Sequence, residues 1–330
     1  MNKKVWIIIF AIAAVLVAFT VKYLTAVRVQ KQTRFLMDTI VTIQIPGGSD
    51  KIPVIAKALD RMEEIDKKFN ALNETSQVYR FNKKNIPIDD PEIIHLTKLC
   101  LDLSVKSGGL YDITLFPISE LWGFYSDNPH IPPAAEIKRL LKHTGYRKIY
   151  IRKNKLYKTD PLVELDYGSK AKGYAVGEAI KVIKKEGVKN ALVDAGGDIF
   201  ALGTYKGRPW KVGIKNPRGE GVIGSMEISD MTVATSGDYE RYFIKDGIRY
   251  CHIMDPRTGS PRQGIASAVI ITDEAEIADG WTSALFLMGE KKGIAAVDKE
   301  PGLSGMVITA DMKKYYSKKF SGETENKRAK

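Results

Sequence analysis

From Val5 to Val21 the chain carries no charged residue, and Lys3, Lys4 and Lys22 bracket that run. A segment apolar on every face is not the one-sided helix of a globular surface. Extended through Tyr23 to Ala26, it reaches the roughly twenty residues that a bilayer crossing needs. The basic start marks a membrane-directed signal, and the lack of a nearby cysteine excludes a lipobox. Two readings of residues 1–26 stand, an uncleaved signal anchor and a cleaved signal peptide. No clear A-x-A site follows, which favours the anchor. The lysines then stay inside, and the body of the chain lies on the extracytoplasmic side of the cell membrane. That body must fold without the apolar segment. Residues 27–34 are polar and basic and read as a tether, residues 35–320 as the folded domain, and residues 321–330 as a basic polar tail.

With 44% hydrophobic residues the body has enough apolar surface to fold. Its pattern alternates between two periods. Phe35 to Ile45 alternates with β-branched residues and stops at Pro46-Gly47-Gly48, a strand and turn. Ile55, Leu59, Met62, Ile65 and Phe69 recur at helical spacing, and Asn70 to Asn82 reads as a loop with a turn of helix. Pro91 opens a second helix that Gly108-Gly109 closes, and Glu136 to Thr144 reads as a short third. Residues 150–157 form a hairpin. Ala191 to Gly203 is two strands around a Gly-Gly bend, and Trp210 to Ile214, Gly224 to Ser229 and Ala266 to Thr272 add strands to the same sheet. No internal repeat appears. The expected fold is α+β, a mixed sheet with helices packed around it, in a single large domain after an N-terminal transmembrane helix.

Charge and cysteines narrow the function classes. Lys+Arg number 51 against 39 Asp+Glu, a formal net charge of +12 that suits anionic ligands, nucleotides or an anionic membrane surface. The lysines are scattered, so nucleic acid is not indicated. Two cysteines make no disulfide framework. Cys100 falls on an apolar helical face, and strand alternation turns Cys251 away from its neighbour His252.

Four stretches carry chemistry. Tyr250 to Gly259, Y-C-H-I-M-D-P-R-T-G, ends a strand and enters a tight turn. His252 there is either a residue closing a turn or a general base held on a rigid corner. Asp166 to Gly173 joins a strand end, a glycine turn and a helix start with lysines, either an anion site or a plain β-α turn. It matches neither a phosphate-binding P-loop nor a dinucleotide fingerprint. Asp279 and Ser283 lie four apart at a helix start, either an N-cap with a satisfied serine or a hard-oxygen pair suited to Mg²⁺. Tyr111, Trp122 and Phe124 are either core or a wall for a flat ring. Taken together they indicate metal-assisted chemistry on a nucleotide-like pyrophosphate.

These residues carry a family resemblance. The chain resembles the FAD:protein FMN transferases, the ApbE family, from about Phe35 to about Tyr316. The matching motifs run in order: Met37-Asp38-Thr39; Ser76 with Arg80-Phe81-Asn82; Asp112-x-Thr114-x-x-Pro117; Leu121-Trp122-Gly123-Phe124; and Asp166-x-Gly168-x-x-Ala171-Lys172-Gly173-Tyr174-Ala175. Val193-x-Ala195-Gly196-Gly197-Asp198, Ala234-Thr235-Ser236-Gly237-x-Tyr239, the stretch His252 to Gly259, and Ala278-Asp279-Gly280-Trp281-x-Ser283 complete the series. The resemblance implies an enzyme that cleaves the pyrophosphate of FAD with Mg²⁺, releases AMP, and joins FMN to a threonine of an acceptor protein. It further implies that Met37, Leu110, Tyr111, Asp112, Asp166, Lys172 and the main chain near Ala266 hold FAD. The carbonyl of Ser169 with Asp279 and Ser283 would hold the metal, and His252 would take the threonine proton. The implied acceptor is an extracytoplasmic flavoprotein or a subunit of a membrane electron-transfer system. Asp38 stands where the family usually has glycine, Ser283 where it often has threonine, and Leu72 where some members have an aromatic residue. An FAD pyrophosphatase yielding FMN and AMP, and an extracytoplasmic flavin-binding protein without turnover, are the competing readings.

Overall fold

The computed structural model describes residues 28–324. The apolar segment, and with it the anchor or signal reading of residues 1–26, lies outside the described residues. Among the described residues no helix is long and apolar enough to cross a membrane.

The first element corrects the sequence reading. Residues assigned to a tether form strand β1 (Val29–Leu36), paired antiparallel with β2 (Thr39–Pro46) from Val29↔Pro46 to Leu36↔Thr39. Its lysine and arginine resemble a linker because β1 is the edge of the main sheet, where side chains meet water and backbone pairing does the holding. Strand β2 turns Val41, Ile43 and Ile45 into the core. The single strand expected over 35–45 is broken by a two-residue turn, Met37-Asp38, in which both residues have positive φ, 52° and 56°. That conformation matches the twist of a tight hairpin. Asp38 therefore adopts the backbone that glycine would adopt more readily.

Helix α1 (Ile52–Phe69) follows the expected spacing and buries Ile55, Leu59, Met62, Ile65 and Phe69. The turn of helix expected within residues 70–82 is α2 (Gln77–Lys84), longer than expected and started by Ser76, whose hydroxyl accepts from Tyr79 N at 2.9 Å. Helix α3 (Pro91–Lys106) is capped by Asp90, and α4 (Phe116–Leu121) and α5 (Ala134–Leu141) are short. The hairpin β3 (Ile149–Arg152) and β4 (Lys155–Lys158) leads to α6 (Ala171–Lys185). Strands β5 (Ala191–Ala195) and β6 (Asp198–Leu202) turn about Gly196-Gly197, at φ 62° and 97°.

Strands β7 (Trp210–Lys215) and β8 (Val222–Ile228) leave the main sheet. Then come β9 (Met231–Gly237), the hairpin β10 (Tyr242–Lys245) and β11 (Ile248–Cys251), and the small pair β12 (Met254–Asp255) and β13 (Ser260–Pro261). Strand β14 (Ile265–Thr272), the long α7 (Ala275–Val297), buried over its first half and kinked at Gly289 (φ 77°), β15 (Ser304–Thr309), β16 (Lys314–Tyr316) and β17 (Glu323–Thr324) complete the domain. Strand β17 pairs with β8, so the expected tail begins inside the fold.

The main sheet runs β1-β2-β5-β6-β9-β14-β15-β16. Each of its pairings is antiparallel, which corrects the expected mixed sheet. Successive residues of β14 serve two cores. Ala268 and Ile270 face helices α1, α6 and α7, while Ala266, Val269 and Ile271 face a second sheet of order β17-β8-β7. Trp210, Val212 and Ile214 alternate into that second core, so β7 and β8 cover the main sheet and do not extend it. The domain thus has three layers, with the site at the end of the helical one.

Candidate active site

A cleft of about 360 Å³ opens where the β1–β2 turn, the start of α6, the end of β9, the exit of β11 and the start of α7 converge. Met37, Tyr111, Asp112, Asp166, Ser169, Lys172, His252, Asp279 and Ser283 all line it. Of the residues implied to hold FAD, Leu110 and Ala266 do not. Leu110 packs against the helical core, and Ala266 faces the second core with its carbonyl taken by Asp238 N at 3.0 Å. A register shift in the β14–β15 pairing between Ile265 and Ser267 explains Ala266, because it puts Ala266 on the face opposite Ala268, which unbroken alternation would not do.

The floor is a close approach of α6 and α7. A Cβ at Gly173 would sit 2.6 Å from Ala275 O and 2.9 Å from the Asp279 Cβ. Asp279 is 2% exposed, and its Oδ2 accepts from Gly173 N at 3.3 Å. Lys172 Nζ reaches Asp198 Oδ2 at 2.6 Å and Asp279 Oδ1 at 3.3 Å. Burial alone would lower the lysine's proton affinity, but the two carboxylates outweigh it and hold the ammonium charged. Burial first, then the neighbouring Asp279, push Asp198 upward against the pull of Lys172. One turn along α7, Ser283 Oγ lies 3.3 Å from Ser236 Oγ.

The walls are braced from behind. Asn82 clamps the strand end before Asp166, donating to Leu165 O at 2.9 Å and accepting from Leu165 N at 2.8 Å. Asp166 then accepts from Gly168 N at 2.7 Å and from the hydroxyl of Tyr125. Asp112 lines the cleft with both oxygens already committed, Oδ1 to Thr114 N and Oγ1 and Oδ2 to Tyr146 N. It is a loop clamp that presents Tyr111. The Tyr111 hydroxyl meets Ser169 Oγ at 3.1 Å and Cys100 Sγ at 3.7 Å. Burial pushes the Cys100 thiol up to about 11, so it stays neutral there. Trp122, expected in the ring wall, sits one layer back. Its Nε1 donates to Gly259 O at 2.8 Å and it stacks on Tyr250, which steadies the turn after His252. Phe124 does reach the cleft.

His252 is half-buried, and its main-chain N donates to Arg241 O at 3.0 Å. Nδ1 lies 3.4 Å from the same carbonyl, an acceptor only, so Nδ1 carries the proton and Nε2 is the free base. Burial, with the charges of Arg241 and Lys172, lowers His252 to about 4, so the ring is neutral at physiological pH. Cys251 faces away and is pushed up to about 12 by burial, which removes it as a nucleophile. At the mouth, Arg241 Nη2 pairs with Asp38 Oδ2 at 3.2 Å. Asp66 accepts from Met37 N at 3.0 Å and so fastens the β1–β2 turn.

Sequence alone assigns no role to Asp198, Arg241, Tyr125 or Asp66, although Asp198 ends one of the matched motifs. Asp198 and Arg241 did stand beside or within recognised runs, after the Gly-Gly bend and after Ser236-Gly237-Asp238-Tyr239-Glu240. Nothing local marks Tyr125 or Asp66.

Among the described residues no cluster of three or more His, Cys, Asp or Glu side chains is placed to hold a metal. The set implied to hold a metal is the Asp279 carboxylate, the Ser283 hydroxyl and the Ser169 main-chain carbonyl, all in the lining of the cleft. That sparse, hard set fits Mg²⁺, which keeps waters and shares substrate phosphate, and does not fit Zn²⁺.

The ApbE family matches residues 37–307. An FAD:protein FMN transferase of Vibrio cholerae serotype O1 is 30% identical over 292 residues, 84% of this chain and 86% of that one. The crystal structure of the ApbE protein from Thermotoga maritima superimposes with a TM-score of 0.82 at 33% identity, covering 88% of this chain and 97% of that one. The flavin transferase ApbE from Vibrio cholerae gives a TM-score of 0.81 at 27% identity, covering 89% and 98%. With the match running through every element that builds the cleft, this chain belongs to the ApbE family.

Proposed function

We propose that this chain transfers FMN from FAD to a threonine hydroxyl of an acceptor protein. The observation that carries the reading is one cleft holding a neutral His252 opposite Lys172, Asp279 and Ser283. The acceptor oxygen bonds to the FMN phosphorus, the phosphorus–oxygen bond to AMP breaks, and AMP leaves with the electron pair. The hydroxyl proton goes to His252 Nε2. A hydroxyl is a poor nucleophile at neutral pH, so an unprotonated base beside it matters.

Lys172 brings a fixed positive charge to the pyrophosphate. Asp279, Ser283 and the Ser169 carbonyl would hold Mg²⁺, which when bound neutralises charge on the phosphates. Phe124 and Tyr125 offer aromatic surface for the flavin and adenine rings, with the buried Tyr111 and Phe69 behind them in the lining. Leu72, 49% exposed on the rim, leaves that side of the wall open. The apolar run Val5–Val21 supports an enzyme anchored in the cell membrane with its catalytic body outside, facing extracytoplasmic flavoproteins.

The test is to incubate the protein with FAD, Mg²⁺ and a candidate acceptor and view the denaturing gel under ultraviolet light. A fluorescent acceptor band together with AMP is the expected result. AMP without the band means hydrolysis, and neither product overturns both enzyme readings.

A further inference from the structure

We propose that Asp198 is a positioning residue that holds Lys172 back from Asp279, leaving that carboxylate free enough to take a divalent cation. The inference rests on the reading of Asp279 as a metal ligand. Its basis is the geometry of three side chains from three elements, β6, α6 and α7. Lys172 Nζ is 2.6 Å from Asp198 Oδ2 but 3.3 Å from Asp279 Oδ1. The ammonium thus belongs mainly to Asp198. Asp198 is 1% exposed, and among the described residues its Oδ1 makes no close hydrogen bond, with the Thr235 main chain the nearby donor that helps to hold the carboxylate. A buried carboxylate is expensive to keep, and its one close side-chain partner is Lys172, so that contact carries its role. That role is not catalytic, because Asp198 does not line the cleft.

The arrangement reconciles two needs of one small floor. Lys172 must stay charged and near the cleft to meet phosphate. A lysine paired wholly with Asp279 would neutralise the carboxylate a cation needs. With both carboxylates ionised beside the ammonium, the three groups carry one net negative charge, and Asp198 supplies the share that Lys172 would otherwise draw from Asp279. The Gly196-Gly197 bend places Asp198 there by taking positive φ at both positions.

Charge-counting variants test this without relying on activity. In flavin-free protein, Mg²⁺ or Mn²⁺ affinity is read from the metal-dependent shift in melting temperature. Asp198→Asn makes the trio neutral, and the metal midpoint should rise on the order of tenfold. Lys172→Met makes it doubly negative, and metal affinity should hold or tighten while FAD binding weakens. The double variant restores one negative charge and should return the metal midpoint to within about threefold of the starting protein. If the double variant binds metal as poorly as Asp198→Asn, or if Asp198→Asn leaves the midpoint unchanged, Asp198 is merely structural and the proposal fails. Asp279→Ala separates the underlying reading. If that variant keeps the full metal shift, the metal assignment is at fault, not the role of Asp198.

Discussion

The cleft has a floor and a mouth, and both are built on ion pairs of opposite character. On the floor, Lys172 joins Asp198 and Asp279, whose side chains are 1% and 3% exposed. At the mouth, Arg241 and Asp38 pair at 3.2 Å with 42% and 69% of their side chains exposed. Buried charges cannot lose one partner without stranding another, whereas an exposed pair gains little and is easily replaced by water. The floor is therefore fixed chemistry, and the mouth can yield to an incoming protein. His252 belongs to both, held by a main-chain carbonyl at the mouth and tuned in part by Lys172 from below.

The largest effects are expected at the floor. Asp279→Ala should abolish transfer and the metal-dependent thermal shift together, a loss of several kcal/mol of transition-state stabilisation. Full activity in that variant would refute the metal assignment. Next comes His252→Ala, with transfer lower by about 10²–10⁴-fold and FAD affinity kept, read by flavin fluorescence titration. Loss of binding instead would mean the ring is structural. Gly173→Ala must push α6 from the backbone of α7, so a stability loss of about 1–3 kcal/mol by urea unfolding is expected.

The pH dependence sharpens the contrast more gently. A base with its pKa lowered to about 4 is already unprotonated at neutral pH. Its protonated fraction rises only as pH falls toward 4, so the acid limb of kcat/KM should lie well below an ordinary histidine's. A limb near 6.5, the ordinary histidine value, would show that His252 is more hydrated than its surroundings indicate. The smallest effect belongs to the mouth. Asp38→Gly relieves a left-handed backbone and loses an exposed ion pair, two opposed terms that should leave stability within about 1 kcal/mol. A large loss there would mean the latch is not superficial.

Local pattern carried much of this. Apolar spacing marks α1 and α3, and short apolar runs bounded by glycines and turns mark β5, β6 and β14, because burial imposes those patterns directly on sequence. Motif order brought nine of the implied site residues to one cleft. Polar edge strand β1 was not legible, because its pairing is through backbone and any side chain serves. Nor was the departure of β7 and β8 into a second sheet, since alternation reports a buried face without saying which layer buries it.

By itself, then, the sequence determined the element periods, the glycine bends and the identity of the chemical groups, from Lys172 to His252. Tertiary structure alone decided which groups meet. Lys172 and Asp198 are 26 residues apart, Lys172 and Asp279 107, and Asp38 and Arg241 203. Contacts at such separations are set by how layers pack, and no local period records them. The same packing turned Ala266 away, set Trp122 behind the wall and left Arg241 O beside His252 Nδ1, so the tautomer of the base was settled by a carbonyl eleven residues upstream.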